Sequence, residues 1–198
     1  MLERKTDSDA ITAFALLAFF VGLVVLGFML TPAHAQSDLY KLATLKPAYD
    51  DRFQSDVQHI LDSYHWNHPF VIGNFSCSDI SIYTMMLFEN HGYTAVCITD
   101  EGPDNKSLSG ALQGHMWVAV DDPRHKEAWI FVEGDGGFYP NQQPMPHSIG
   151  TIVYGDQYQI GYILTDPLGY IMKYDLSRQP WRQHYSLNDT NAPQPNRL

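Results

Sequence analysis

Hydrophobic residues are most concentrated near the amino end of the chain. Residues 10–30 contain only Thr12, Gly22 and Gly27 among otherwise apolar positions, and a helix of this length can cross the hydrocarbon core of a bilayer, which is about 30 Å thick. The tripeptide Ala-His-Ala at residues 33–35 follows the run, as at a signal-peptidase cleavage site. The pattern predicts that residues 1–35 form either a transmembrane anchor or a signal segment.

The charges beside this run predict its orientation. Arg4 and Lys5 are the only basic residues close to it, since Lys41 and Lys46 lie well beyond it. Because basic residues favour the cytoplasmic side of a membrane, we expect the amino terminus in the cytoplasm and the rest of the chain outside. The protein is therefore expected to be single-pass with an extracytoplasmic domain, or secreted if the chain is cleaved after Ala35.

A first amphipathic helix is predicted after the polar spacer that follows this segment. Its apolar positions recur at a helical period, and acidic side chains occupy the other faces. Pro47 is expected to begin the helix, because proline is favoured in a first helical turn. The apolar positions are Tyr49, Phe53, Val57, Ile60, Leu61 and Tyr64.

A second helix is predicted to begin at Cys77. Ser76 can act as its N-cap with Asp79 three positions later, which is the arrangement of a capping box. Gly92 follows the helix and is typical of the position just past a helix end. Cys77 is thereby expected at the helix N-terminus. The face expected to be buried consists of Ile80, Tyr83, Thr84, Leu87 and Phe88.

Strand-like patterns dominate the rest of the chain. Residues 115–120 and 128–133 flank a turn and predict an antiparallel hairpin. The order of helices first and strands afterwards predicts an α+β domain over residues 36–178, with helices packed on an antiparallel sheet. Residues 179–198 are polar and contain proline, and we expect them to form a flexible tail. The other predicted strands are residues 93–99, 149–154, 158–164 and 170–174.

The balance of charge excludes one class of partner. The chain has 12 Lys and Arg residues against 22 Asp and Glu residues, a formal net charge of −10. Few of these charges belong to residues 1–35, so the acidic excess belongs to the domain. Such a surface repels a phosphate backbone, and nucleic acid is not expected as a partner.

Three positions together could support nucleophilic thiol chemistry. The N-terminus of a helix stabilises a thiolate, which favours Cys77 as a nucleophile. His115 begins one strand of the predicted hairpin and Glu133 ends its partner, so the two side chains can meet across neighbouring strands. A nucleophile, a base and a group that orients the base make up a catalytic triad. No metal or organic cofactor is implied.

Four motifs carry a family resemblance: Ser76-Cys77-Ser78-Asp79 opening a helix, Gly92-Tyr93, Gly114-His115-Met116-Trp117-Val118, and Trp129 four residues before Glu133. With these motifs the chain resembles the transglutaminase-like branch of the papain-like fold over residues 55–164, and within it the archaeal, membrane-anchored extracellular type. This resemblance implies a papain-like core in which Cys77 is the nucleophile, His115 the base and Glu133 the orienting acid. The family uses aspartate in the last role, and glutamate is one methylene longer.

The expected activity is cysteine-dependent acyl transfer on an amide bond outside the cytoplasmic membrane, as a peptidase or amidase or as a transamidase. The expected substrate is a peptide, a protein or a cell-envelope polymer, and residues 10–30 are expected to contact the membrane. Asn74, three residues before Cys77, is a candidate oxyanion donor, with a role in a turn as its alternative. The sequence leaves the oligomeric state open.

Each candidate residue also has a purely structural alternative. Cys77 and Cys97 could form a disulfide, although Cys97 is expected opposite the middle of the second helix and therefore too far from its start. His115 could be a structural residue at a sheet edge, and Glu133 a solvated strand end. The aromatic residues Tyr64, Trp66, Phe70 and Phe75 could pack in the core or line a substrate groove.

Two further alternatives concern function. Three histidines near Asp62 could suggest a zinc site, but they lack support from a cysteine ligand; they are His59, His65 and His68. The whole domain could also be a catalytically inactive papain-like binding module, or a membrane-anchored structural subunit of the cell surface.

Overall fold

The structure is a computed structural model, and it describes residues 40–71, 75–102, 107–108, 114–170 and 195–198. The α-helices are α1 (Asp51–Asp62) and α2 (Cys77–Asn90), and short 3-10 helices span Gly134–Gly137 and Asp156–Tyr158. The strands are β1 (Tyr40–Thr44), β2 (Lys46–Pro47), β3 (Tyr64–Trp66), β4 (Ala95–Thr99), β5 (Met116–Asp121), β6 (Ala128–Glu133), β7 (Thr151–Val153), β8 (Ile160–Leu164) and β9 (Pro195–Arg197).

Seven of these strands form one curled, mainly antiparallel sheet. Its order is β1-β8-β4-β5-β6-β2, and β7 also pairs with β6. The predicted hairpin is present as β5 and β6, with Val118 opposite Val132. The described part of the chain is therefore a mixed α and β fold with few helices. The predicted hydrophobic helix of residues 10–30 lies outside the described residues.

Helix α1 begins later than the sequence predicted. Asp50 is its N-cap, and the Asp50 carboxylate accepts a hydrogen bond of 2.7 Å from the backbone N–H of Phe53. Pro47 instead pairs with Trp129 in the short strand β2, so the prediction that Pro47 begins the helix is wrong. The physical reason is that Pro47 is held in strand β2 beside Trp129, while the Asp50 carboxylate downstream accepts a hydrogen bond from a free N–H of the first helical turn.

Helix α2 matches its prediction. Ser76 and Asp79 form the capping box, and the Asp79 carboxylate accepts the backbone N–H of Ser76 at 3.1 Å. Gly92 follows the helix with a φ of +85°, a conformation that favours glycine. The predicted buried residues Ile80, Tyr83, Thr84, Leu87 and Phe88 are all buried.

Strand β5 lies in the middle of the core and is buried on both faces. Val118 and Val120 pack in one cluster with the apolar faces of α1 and α2. Trp117 and Ala119 point to the opposite face, where they pack with Phe131. Successive side chains alternate across a strand. The packing of β5 therefore also sets the face of the sheet to which each side chain near the ends of β5 points.

The ends of the domain depart from the predicted pattern. Tyr170 belongs to a helical turn, since its N–H donates to the carbonyl of Asp166 at 2.9 Å, and residues 171–174 lie outside the described residues. Residues 179–194 of the predicted tail lie outside them as well. Strand β9 pairs antiparallel with β3, so these last residues have a defined place that the polar composition did not predict.

Within the described residues, no helix combines the length and the hydrophobicity that a membrane span requires. The predicted anchor or signal segment, residues 1–35, is not among these residues.

Candidate active site

Cys77 is the first residue of α2, as its capping residues predicted. Its side chain is half-buried at the edge of an apolar cluster. The unpaired N–H groups of a first helical turn carry a partial positive charge, which favours a thiolate or an oxyanion at this position. Both cysteines are free, so the alternative of a Cys77–Cys97 disulfide is not what the structure contains.

His115 and Glu133 meet at the open end of the β5–β6 hairpin. The ladder places Val118 opposite Val132, so His115 and Glu133 are diagonal neighbours on one face of the sheet. His115 Nε2 and Glu133 Oε1 are 2.6 Å apart. That distance is typical of a strong, charge-assisted hydrogen bond.

Cys77 is a second neighbour of the His115 imidazole. Hydrogen bonding with the Cys77 and Glu133 side chains raises the pKa of His115 to about 10, against the opposing effect of burial. Since Glu133 occupies Nε2, the other ring nitrogen is available to the thiol. The structure thus brings the three predicted site residues together in the order Cys77, His115, Glu133, and the imidazolium is the favoured form of His115 at neutral pH.

Glu133 is a buried acid, with only 7% of its side chain exposed. Burial raises the pKa of Glu133, and the neighbouring charge of Asp135 adds to this effect, while the bond to His115 lowers it. Asp135 itself lies on the exposed side of the 3-10 helix that follows β6. The expected alternative of a solvated strand end therefore does not describe Glu133.

The backbone of His115 is anchored by a residue that the sequence analysis missed. The Asp100 carboxylate accepts the His115 N–H at 2.6 Å and the Ser107 hydroxyl at 2.5 Å, and the Asp100 N–H donates to the carbonyl of His115 at 3.1 Å. Asp100 directly follows β4, the strand beside β5. An acidic residue at the end of a strand, before a polar loop, was the available signal, but such residues are common in turns.

Aromatic residues surround the site on two sides. Trp117 stacks on the His115 ring with the centroids 6.0 Å apart. On the other side, Trp66 and Phe75 are buried and pack against Phe138, which favours the core alternative for these two predicted aromatic residues. A groove of about 290 Å³ lies beside them, and its lining includes Phe70, Asp135, Phe138 and Tyr139.

The remaining candidates do not join the site. Asn74, the candidate oxyanion donor, lies outside the described residues. Cys97 is fully buried, its thiol contacts the sulfur of Met85 at 3.6 Å, and burial raises its pKa. In the part of the chain that the structure describes, no three His, Cys, Asp or Glu side chains are grouped so that they could hold a metal ion.

Comparisons with known proteins find no matching family model, no matching characterised protein and no matching solved structure.

Proposed function

We propose that this protein is a cysteine-dependent acyl-transfer enzyme with a transglutaminase-like, papain-like core, and that it acts on an amide bond outside the cytoplasmic membrane. The observation that carries the proposal is the position of the His115 ring, whose Nε2 lies 2.6 Å from the Glu133 carboxylate and whose pKa is raised by the neighbouring Cys77 side chain. A nucleophile, a base and an orienting acid in this order are the geometric requirement of a catalytic triad.

The chemistry begins from the resting ion pair, in which Cys77 is a thiolate and His115 is already an imidazolium. The thiolate attacks the carbonyl carbon of an amide, and the N–H groups of the first turn of α2 stabilise the resulting oxyanion. As the C–N bond breaks, the imidazolium gives its proton to the departing amine, and an acyl-thioester remains on Cys77. Water or a second amine, deprotonated by His115, then attacks the thioester and releases the thiol.

Glu133 holds the imidazolium through this cycle without taking its proton. A buried carboxylate beside Nε2 orients the ring and stabilises its positive charge. The proposed substrate is a peptide, a protein or a cell-envelope polymer, which the groove lined by Phe70 and Tyr139 could accept in an extended form. The proposed location follows from residues 10–30, whose hydrophobicity suits an anchor in the membrane.

The experiment that tests this proposal is the pH dependence of Cys77 alkylation by iodoacetamide, followed by mass spectrometry on the full-length chain. A thiolate stabilised by His115 should react rapidly near pH 6, where an ordinary thiol, with a pKa of about 8.5, is almost wholly protonated. Cys97 provides the internal control, since it is buried and should react only when the protein unfolds.

The variant His115→Ala supplies the second arm. We expect it to move the alkylation of Cys77 to higher pH, because the thiolate loses its cationic partner. Slow labelling of Cys77 in the wild-type protein, with no dependence on His115, would contradict the proposal and favour an inactive binding module or a structural subunit.

A further inference from the structure

One oxygen of the Glu133 carboxylate is buried without a hydrogen bond. Oε1 faces His115, whereas Oε2 has no hydrogen-bond partner among the described residues. A buried carboxylate oxygen that lacks a donor is unfavourable, and a carboxylate held at one oxygen is free to turn away from the ring that it orients. The groups beside Glu133 are therefore candidate hydrogen-bond donors to Oε2.

Three ionisable groups lie close to this carboxylate. His115 lies at Oε1, Asp135 comes from the 3-10 helix after β6, and Tyr158 comes from the 3-10 helix before β8. His115 is already engaged at Oε1. The negative charge of Asp135 raises the pKa of Glu133 and so disfavours its ionised form. Tyr158 alone among these groups has a hydroxyl proton available for Oε2.

Tyr158 is held in place by the same tryptophan that packs on His115. The ring of Trp117 meets the Tyr158 ring edge-on, with centroids 5.8 Å apart, and the indole N–H donates to the Tyr158 carbonyl at 3.2 Å. Trp117 also stacks on the His115 ring. Burial, and after it the charge of Glu133, raises the pKa of Tyr158 to about 12, so the phenol keeps its proton at every pH at which the enzyme would work.

We propose that Tyr158 is a positioning residue of the active site, whose hydroxyl donates to Oε2 of Glu133 and keeps Oε1 directed at His115. This inference rests on the acyl-transfer function proposed above. A hydrogen bond to the charged form of a carboxyl group favours ionisation, so Tyr158 would also counter the burial of Glu133. Tyr158 acts through Glu133 and does not itself touch the reacting atoms.

The test is the low-pH limb of Cys77 alkylation by iodoacetamide, compared among the wild-type protein, Tyr158→Phe and Tyr154→Phe. The first variant removes the hydroxyl and keeps the ring against Trp117. The second is a matched control, since the Tyr154 hydroxyl is exposed and bonds Gln54 at 2.9 Å. We expect Tyr158→Phe to move the limb to higher pH by about one unit, because Glu133 becomes harder to ionise, and Tyr154→Phe to leave it unchanged.

A double-mutant cycle with Glu133→Gln separates positioning from a general loss of packing. If Tyr158 acts through the carboxylate, Tyr158→Phe should cause no further shift once Glu133 is replaced, while thermal unfolding reports any loss of packing separately. This inference would be overturned if the low-pH limb of Cys77 alkylation were the same in the wild-type and Tyr158→Phe proteins. It would also be overturned if the shifts caused by Tyr158→Phe and Glu133→Gln were additive in the double variant. Absence of rapid wild-type labelling near pH 6 would instead overturn the proposed function itself.

Discussion

His115 shows how far the behaviour of one side chain depends on its neighbours. An exposed histidine is mostly neutral at pH 7, but the bonds to Cys77 and Glu133 raise the pKa of His115 to about 10. Burial of the ring acts in the opposite direction and is outweighed. The charged imidazole is therefore the resting form, as the proposed stabilisation of a thiolate and protonation of a leaving amine require.

At the scale of a residue, the charge of Glu133 can be removed with little change of shape. We expect Glu133→Gln to lower the rate of Cys77 alkylation at pH 6 by about tenfold or more, because the amide no longer stabilises the imidazolium. Glu133→Asp should have a milder effect, since it shortens the side chain but keeps the charge. The measurement is the alkylation rate, with urea denaturation to show that stability is almost unchanged.

The matched control for this prediction is Asp135→Asn, which removes the neighbouring exposed carboxylate. Its effect on the alkylation rate should be small. If Asp135→Asn slows alkylation strongly and Glu133→Gln does not, Asp135 and not Glu133 is the orienting acid.

At the scale of elements, the site depends on how closely α2 approaches the end of β6. Gly134 directly follows Glu133, and a Cβ at this position would lie 2.0 Å from Cγ2 of Ile80 in α2. No side chain fits in that space without movement of one element. The glycine therefore allows the helix that carries Cys77 to lie against the strand end that carries Glu133.

We predict that Gly134→Ala lowers the free energy of unfolding by about 1–3 kcal/mol, the usual range for an overpacked core, and also slows Cys77 alkylation. The double variant Gly134→Ala with Ile80→Ala should lose less stability than the sum of the single variants, because the second change removes the methyl group that causes the clash. Urea denaturation of the four proteins measures this coupling. If the losses of unfolding free energy in the two single variants simply add, the contact between Ile80 of α2 and the end of β6 is not the cause of the destabilisation.

At the scale of the whole molecule, the proposed location can be tested by its topology. If residues 10–30 anchor the chain with the amino terminus in the cytoplasm, protease added to intact cells should digest the domain after Asp38 and spare the first residues. Lysed cells provide the control for protease access. Protection of the domain in intact cells would contradict the location, and a mature protein that begins at Gln36 would replace the anchor by a cleaved signal segment.

Several parts of the fold and the site follow from the sequence because they depend on residues close together in the chain. The caps of α2 involve Ser76, Asp79 and Gly92, each within a turn of the helix end that it defines. The hairpin that joins His115 to Glu133 has a short turn, and its alternating pattern determines its register. Bringing such neighbouring residues together costs little conformational entropy, so these features can be predicted from the sequence without the tertiary structure.

The start of α1 shows where local patterns were insufficient. Pro47 suited the first turn of a helix, yet it pairs with Trp129, a residue far along the chain, in the edge strand β2. Likewise, strand β9 forms only because β3 is present to pair with it. In both cases a distant partner, which no local pattern displays, determined the conformation of the segment.

The sequence by itself predicted Cys77, His115 and Glu133 as the candidate site residues and the local element that carries each one. Only the tertiary structure decided that the start of α2 lies beside the ring of His115, because the packing of α2 on the sheet sets that position. It also decided that Asp100 anchors the backbone of His115 and that Tyr158 packs on Trp117. The physical reason is that capping and hairpin register are set within a few residues, whereas contacts between distant segments depend on how the whole core closes around β5.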